Sequence, residues 1–426
     1  MFKNRNFVIH WLTMAFAQIG GFFTLVAIPW LVLILTNNDA MIMASVMATI
    51  SLPHSIVILF GGVLADRFSP LVILKVSRIL SLFFMFSLAG LVLQDLITIN
   101  LIYLFALIIG SLSAVAVPAS QSILPNILAA KHLGNGNGVM IATTHVAQIL
   151  GPVCAGWLIY FARISMGIEG ESSKAVAVAF ILDSLLIIVA LFGLQFLKIN
   201  ASNSHIKDAF WPLLKSGFQY CWQDIGIRTV LSYLLFISFF LHGPLMVFLP
   251  LITKAELGLS EASYGNLYAM IGTGVVLGAI IMFIKPIADK HLGLLVLFAD
   301  LLAGVSFCGI FLTNNIYLIA LALLVIGICS GLVTISGTSW FQKRTSAEFL
   351  GRVMSILLFV VFGSIPLSAT LTGLLINQFS INQIIIFFGL TIISITSVSL
   401  FIPAIRNMGN LDQDTTTFDK EISYEK

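Results

Sequence analysis

Twelve apolar stretches, each long enough to cross a bilayer, fill this chain of 426 residues and leave little length for anything else. They run over residues 7–35, 41–64, 71–94, 99–124, 136–162, 174–197, 228–253, 263–285, 291–312, 316–340, 348–377 and 382–404. A hydrocarbon core of about 30 Å needs roughly 20 apolar helical residues. Hydrophobic residues make up 59% of the chain and charged residues 9%, too little polar surface to cover a water-soluble body of this length. Backbone amides left unpaired in lipid cost several kcal/mol, and these stretches lack the two-residue alternation of barrel strands, so each reads as a helix. The fold class that follows is an all-α membrane protein with twelve transmembrane helices.

Charge sets the orientation. Of the 21 lysines and arginines, only Arg163, Lys174 and Lys254 fall on one side of these spans, while the other eighteen, Arg78 among them, are counted with the loops on the side of the termini. Cytoplasmic loops carry the excess of Lys and Arg, so both termini are expected in the cytoplasm and the chain in the inner (cytoplasmic) membrane. The formal charge of +3 then reflects topology, and no basic patch is left for a nucleic acid. The opening Met1-Phe2-Lys3-Asn4-Arg5 precedes an apolar run too long for a signal peptide and without a small-residue cleavage site. The first span is expected to stay in the protein. Cys154, Cys221, Cys308 and Cys329 have no paired spacing and read as small apolar packing residues.

An internal repeat organises the chain. The segment from Leu133 to Ile159 aligns without a gap on that from Leu350 to Ile376, placing Gly134 on Gly351 and Gly156 on Gly373, and each segment opens the fifth span of its half. The expected domains are a six-helix half over 1–197, a linker over 198–227 with an interfacial helix, a second six-helix half over 228–404, and a disordered cytoplasmic tail over 405–426. Such inverted or paired repeats place a substrate site near the bilayer midplane and work by rocking one half against the other.

Between the second and third spans stands Gly61-Gly62-Val63-Leu64-Ala65-Asp66-Arg67. It resembles the G-x-L-A-D-R loop signature of the major facilitator superfamily, at the same place in the order of spans. The resemblance implies that Gly61, Gly62, Asp66 and Arg67 form a conformational latch. The family continues with Gly-Arg-Arg/Lys, whereas Phe68-Ser69-Pro70-Leu71 follows here. Ala27-Ile28-Pro29-Trp30-Leu31-Val32-Leu33, Leu52-Pro53, Leu124-Pro125 and Leu350-Gly351-Arg352-Val353-Met354-Ser355 are similar to the branch containing enterobactin (siderophore) exporters and macrolide efflux proteins. Gln148-Ile149-Leu150-Gly151-Pro152-Val153-Cys154-Ala155-Gly156 resembles the Gly-Pro motif of drug and proton antiporters, so Gly151, Pro152 and Gly156 are expected at a helix kink.

The sequence contains no Gly-Lys dipeptide and therefore no nucleotide-binding P-loop of the usual kind, no clustered His/Cys metal site and no hydrolase motif. No enzyme activity, cofactor or metal is expected. Ionisable groups inside spans are functional suspects by default. The proton-coupling candidates are His242, next to an expected helix break at Gly243-Pro244, then Asp183 and His145. Asp300 reads as a carboxylate bonded to hydroxyls or amides between helices. Candidates for the substrate cavity are Gln18, Trp30, His54, Gln148, Tyr268, Thr334, Thr338 and Ser368. No Lys or Arg is expected deep in a span, which favours a neutral, zwitterionic or amphiphilic cargo. The reading is a proton-coupled exporter of a bulky amphiphilic small molecule, a siderophore or macrolide-type drug, working by alternating access. Its partners are the substrate, protons and membrane lipids, with an outer-membrane efflux channel as a candidate. The alternatives are an importer of a metal-chelate or nutrient and a non-transporting receptor or lipid-handling protein.

Overall fold

A computed structural model describes residues 1–67, 69–167, 172–197, 210–284, 291–346 and 348–409. Among them there is no strand. The helices are α1 (Arg5–Leu35), α2 (Ala40–Arg67), α3 (Pro70–Leu93), α4 (Ile99–Ile127), α5 (Ala130–Ser165), α6 (Ser173–Gln195) and α7 (Phe210–Gln223). Then come α8 (Ile225–Leu251), a π-helical turn over Ile252–Glu256, α9 (Glu261–Ile284), α10 (Leu292–Phe311), α11 (Ile316–Arg344), α12 (Leu350–Ile376), α13 (Ile381–Ser399) and α14 (Pro403–Arg406). Among the described residues twelve helices, α1 to α6 and α8 to α13, are long and apolar enough to cross a membrane, and the chain is a multi-pass membrane protein.

Helix ends follow local chemistry. The Asn4 side chain accepts from the amides of Asn6 at 3.0 Å and Phe7 at 3.3 Å, satisfying orphan donors at the start of α1. Its amide nitrogen also donates to the Ile127 carbonyl at 2.7 Å, tying the start of α1 to the end of α4. Asn37 and Asn38 adopt positive φ, 51° and 67°, a conformation asparagine tolerates better than most residues. That turn lets α2 begin within a few residues of the end of α1.

Packing divides the chain into two compact units. The first comprises Met1–Lys207, His242–Thr273 and Phe362–Ile384; the second comprises Asp208–Leu241, Gly274–Val361 and Ile385–Lys426. Within the first, α1 packs on α5 and α6, α2 on α4, and α3 on α4 and α6; within the second, α10 packs on α11. A core of Phe7, Leu74, Ile123, Leu124, Met140 and Leu194 fills the first unit. Phe83, Phe86 and Phe192 are left exposed on it, and Phe298 and Phe401 on the second, as lipid-facing positions would be.

Glycines set the helix contacts. In the first unit Gly110 of α4 lies against the Ile50 carbonyl of α2. In the second, Gly274 and Gly278 of α9 lie against α11 backbone at Leu324, Gly327 and Ile328, and Gly331 of α11 answers against the Val275 carbonyl. A side chain at any of these would meet backbone, so they act as small-residue contacts that let helices approach.

One expectation is corrected: α8 runs unbroken from Ile225 to Leu251 through Gly243-Pro244. Proline removes a single backbone bond, and the neighbouring turns carry the helix past it. The departure from α-geometry falls later, in the π-helical turn that follows Pro250.

The linker helix α7 shows one face to protein and one outward. Tyr220 stacks on Phe349 with ring centroids 4.6 Å apart, Arg352 donates to Ser216 at 3.0 Å, and Asp224 just beyond α7 pairs with Arg344 at 2.9 Å. Trp222 stays exposed. Linker residues 198–209 and tail residues 410–426 lie outside the described residues.

Candidate functional site

The densest polar and aromatic constellation lies in the first unit, where α1, α2 and α5 meet the portions of α8, α9 and α12 that belong to it. Trp30 of α1 stacks on Tyr264 of α9, centroids 5.8 Å apart and planes 19° apart, and Tyr264 meets Tyr268 edge-on at 6.4 Å. Lys254, on the π-helical turn, lies 6.0 Å from the Trp30 ring centre and donates to the Asn38 side chain at 2.7 Å. The left-handed turn at Asn37-Asn38 thus presents an acceptor to a buried ammonium. Arg163 at the end of α5 pairs with buried Glu261 at 3.5 Å, and the Trp157 ring nitrogen donates to Asn266 at 3.2 Å.

Two helix crossings in this cluster use glycines that the internal repeat aligns. Gly156 of α5 lies against the Glu261 carbonyl and Gly265 of α9, and Gly265 in turn against the Pro152 carbonyl. Its repeat counterpart, Gly373 of α12, lies against Met41 and Ala44 of α2. Because the Gly156–Gly265 contact is backbone on backbone, a methyl at either position forces the helices apart. Gly151 fits against Phe22, and α5 is helical straight through Pro152.

The remaining candidates in this unit join the cluster or lie along its helices. Gln148 packs against Gly272 of α9 and lies 3.5 Å from the His145 ring nitrogen. Gln18 donates to Thr144 at 3.4 Å, across α1 and α5. His54 lies 3.5 Å from Ser113, across α2 and α4. Ser368 is fully buried against Gly243, and the adjoining His242 has a buried Nδ1 without a hydrogen-bond partner. Thr334 and Thr338 belong to the second unit, the first exposed and the second half-buried. Helix α2 carries the signature through Arg67, but the side chains of Asp66 and Arg67, and the surroundings of Gly61 and Gly62, lie outside the described residues.

Each unit also buries one carboxylate in mid-span. Asp183, in the middle of α6, accepts from Thr24 at 2.6 Å, and Gly20 gives its carboxylate room beside α1. Arg78 of α3 lies within electrostatic reach of it. Asp300 of α10 accepts from Tyr233 at 2.6 Å, and Tyr233 lies 3.5 Å from Thr396. That matches the hydroxyl-bonded reading of Asp300.

The expected absence of deep cations is corrected here. Arg78 sits about 12 Å along α3 from its first residue, Pro70, and acts on a mid-span acid. Residues 78, 81 and 85 share a helix face, and the Met85 sulfur is 3.9 Å from the Thr24 hydroxyl. A sequence signal existed: Arg78, Ser81 and Met85 mark one stripe, but nearby Lys75 made the arginine look like part of a loop. Lys254 and Glu261, both buried, were missed because their partners Asn38 and Arg163 are remote in sequence.

The family described as transmembrane secretion effector matches residues 1–423. The chain is similar to the staphyloferrin A transporter of Staphylococcus aureus (strain NCTC 8325 / PS 47), 22% identical over 392 residues covering 90% of this chain and 93% of that protein. It is also similar to the uncharacterized MFS-type transporter YkuC of Bacillus subtilis (strain 168), 24% identical over 92% of this chain and 90% of that one. Among solved structures, a bacterial homolog of the human lysosomal transporter Spinster, inward-facing and unoccupied, superposes with a TM-score of 0.71 at 15% identity, covering 95% of this chain and 98% of that one. A D-xylose-proton symporter does so with a TM-score of 0.67 at 12% identity, covering 94% and 97%.

Proposed function

Because this chain belongs to the transmembrane secretion effector family of major facilitator transporters, we propose that it exports a bulky amphiphilic small molecule of the siderophore class by proton-coupled alternating access. The observation that carries the reading is the closure in the first unit. There, repeat-equivalent Gly156 and Gly373 each bring a helix of one proposed six-helix half (1–197 and 228–404) against a helix of the other. Contacts so tight and so rich in partners at one end of a bundle suit a gate that forms in one state and parts in the next. With both termini cytoplasmic in the cytoplasmic membrane, as the charge bias favours, this gate closes the outer side. The siderophore class is favoured over a macrolide by the substrate in the name of the Staphylococcus aureus relative. The reading does not extend to an outer-membrane channel.

His242 is the group we assign to the proton. Its Nδ1 is buried without a partner, whereas Asp183 is held by Thr24 and Arg78 and His145 lies beside Gln148. The latch role of Gly61, Gly62, Asp66 and Arg67 enters as part of the same proposal.

The test uses the protein in vesicles, with staphyloferrin A as probe and a variant whose four cysteines are replaced. Cysteines at Trp157 and Asn266, joined by a short reducible bifunctional reagent, should stop flux at least about tenfold, and reduction should restore it. Flux that persists in the cross-linked protein would reject the gate. His242→Gln should abolish accumulation driven by a proton gradient while leaving downhill exchange; gradient-driven accumulation in that variant would remove His242 from the proton path. Asp66→Asn should lower flux at equal protein level.

A further inference from the structure

A groove of about 420 Å³ runs between α8 and α13 in the second unit, away from every residue assigned to transport above. Its size falls in the range of about 300–1,000 Å³ common for small-molecule sites. One wall is Thr229, Ser232, Tyr233 and Phe236, a single face of α8 by helical spacing. The other is Ser394, Ile395, Val398 and Ser399, continued by Ile402 and Ile405. The site is therefore long and narrow, extending about 10 Å along the α8 axis.

On the α8 wall the hydroxyl protons are already engaged. Thr229 donates to the Ile225 carbonyl at 2.7 Å, Ser232 to the Arg228 carbonyl at 2.9 Å, and Tyr233 to Asp300 at 2.6 Å. A polar guest would find no free hydroxyl proton on that wall and would lose its own hydration, whereas a hydrocarbon chain loses nothing. Phe236 and Val398 are exposed at the rim, so in a bilayer the groove opens sideways to lipid.

The mouth is cationic. Arg228 directly precedes Thr229, lies 5.1 Å from the ring of exposed Trp222 and donates to the Trp222 carbonyl at 3.3 Å. Arg406 directly follows Ile405 and is exposed. The neighbouring acid, Asp224, is engaged by Arg344 at 2.9 Å and does not neutralise the mouth. An apolar slot with two arginines and an interfacial tryptophan at one end matches a phospholipid with a negative headgroup.

We infer that the groove between α8 and α13 binds one anionic phospholipid, with an acyl chain along the slot and the phosphate at Arg228 and Arg406. The test is native mass spectrometry of the full chain in detergent, titrated with phosphatidylglycerol and with phosphatidylcholine of identical acyl chains. One phosphatidylglycerol should bind about tenfold or more tightly than phosphatidylcholine, as two cations at a headgroup imply. Arg228→Gln with Arg406→Gln should bring the two lipids level, and Arg228→Lys with Arg406→Lys should keep the preference. Ser394→Phe, at an exposed position in the wall, should reduce binding of both lipids. Lipid-free thermal unfolding identifies any variant that has lost its fold, and the lysine pair then carries the comparison. Equal binding of the two lipids by the parent, a preference that survives the glutamine pair, or undiminished binding to a folded Ser394→Phe protein would each overturn the assignment.

Discussion

The two mid-span carboxylates look alike in sequence and differ in what stands behind their first hydrogen bond. Asp183 has a hydroxyl and an arginine: Thr24 donates at 2.6 Å, and Arg78 approaches from a third helix. Asp300 has a hydroxyl bond of the same length, from Tyr233, and a second hydroxyl on Thr396 behind it. No ion pair to Asp300 occurs among the described residues. A charge removed from water must be balanced by an opposite charge or by hydrogen bonds. Both carboxylates are met first by a hydroxyl; beside Asp183 an arginine adds a weaker pull from a distance, and beside Asp300 a second hydroxyl stands behind the first. The difference teaches that an acid within a span is not one kind of feature, and its role depends on what the neighbouring helices bring.

Tyr233→Phe is the sharpest break of the comparison. It removes the one donor seen on Asp300, and hydrogen bonds to charged groups contribute about 1.5–3 kcal/mol. We expect a loss near the upper end, about 3 kcal/mol, in reversible unfolding from detergent micelles, against about 1.5 kcal/mol for Thr24→Val, because Asp183 keeps Arg78. Equal losses would mean that Arg78 contributes nothing to Asp183.

Neutralising the acids should separate them in size. Asp183→Asn leaves Arg78 facing a neutral group. Arg78 acts on Asp183 from beyond ion-pair distance, so the loss should lie well below that of a broken buried pair, about 3–5 kcal/mol, at about 1.5 kcal/mol. Asp300→Asn keeps an acceptor for Tyr233 and strands no cation, so it should cost about 1 kcal/mol or less, the difference between a charge-assisted and a neutral hydrogen bond. The same unfolding measurement on Arg78→Gln/Asp183→Asn should recover most of the loss, and additive losses would dissolve the pair.

The smallest effect belongs to Thr396→Val. At 3.5 Å from the Tyr233 oxygen, its hydroxyl sits at the long limit of a hydrogen bond, and neutral contacts between membrane helices average about 0.6 kcal/mol. A loss of about 0.5 kcal/mol is expected from chemical unfolding; a loss as large as that of Tyr233→Phe would make the two hydroxyls one cooperative unit.

Much of the architecture was legible because lipid constrains composition over whole segments. Every expected span corresponds to a helix long enough to cross the membrane, and runs such as that of α6 allow no other reading. Gly156 and Gly373, which the proposed repeat aligns, are both close helix contacts. The site was less legible. Trp30 was singled out, yet nothing local marks Lys254 or Asn38 as its neighbours. Arg78 was counted with the loops although it falls inside the expected span 71–94, because a long cationic side chain near a helix end can reach the interface at little cost.

What the sequence by itself determined is therefore the helical class and the number of spans, since both rest on the length and period of apolar runs. What only the tertiary structure decided is which polar groups meet. Thr24 and Asp183, or Tyr233 and Asp300, lie 159 and 67 residues apart. Their partnership is set by helix rotation and crossing, through glycines such as Gly20 that permit approach. A hydrophobic pattern fixes which face of a helix turns from lipid to within a broad arc, but a hydrogen bond needs the last fraction of an ångström, and that comes from packing.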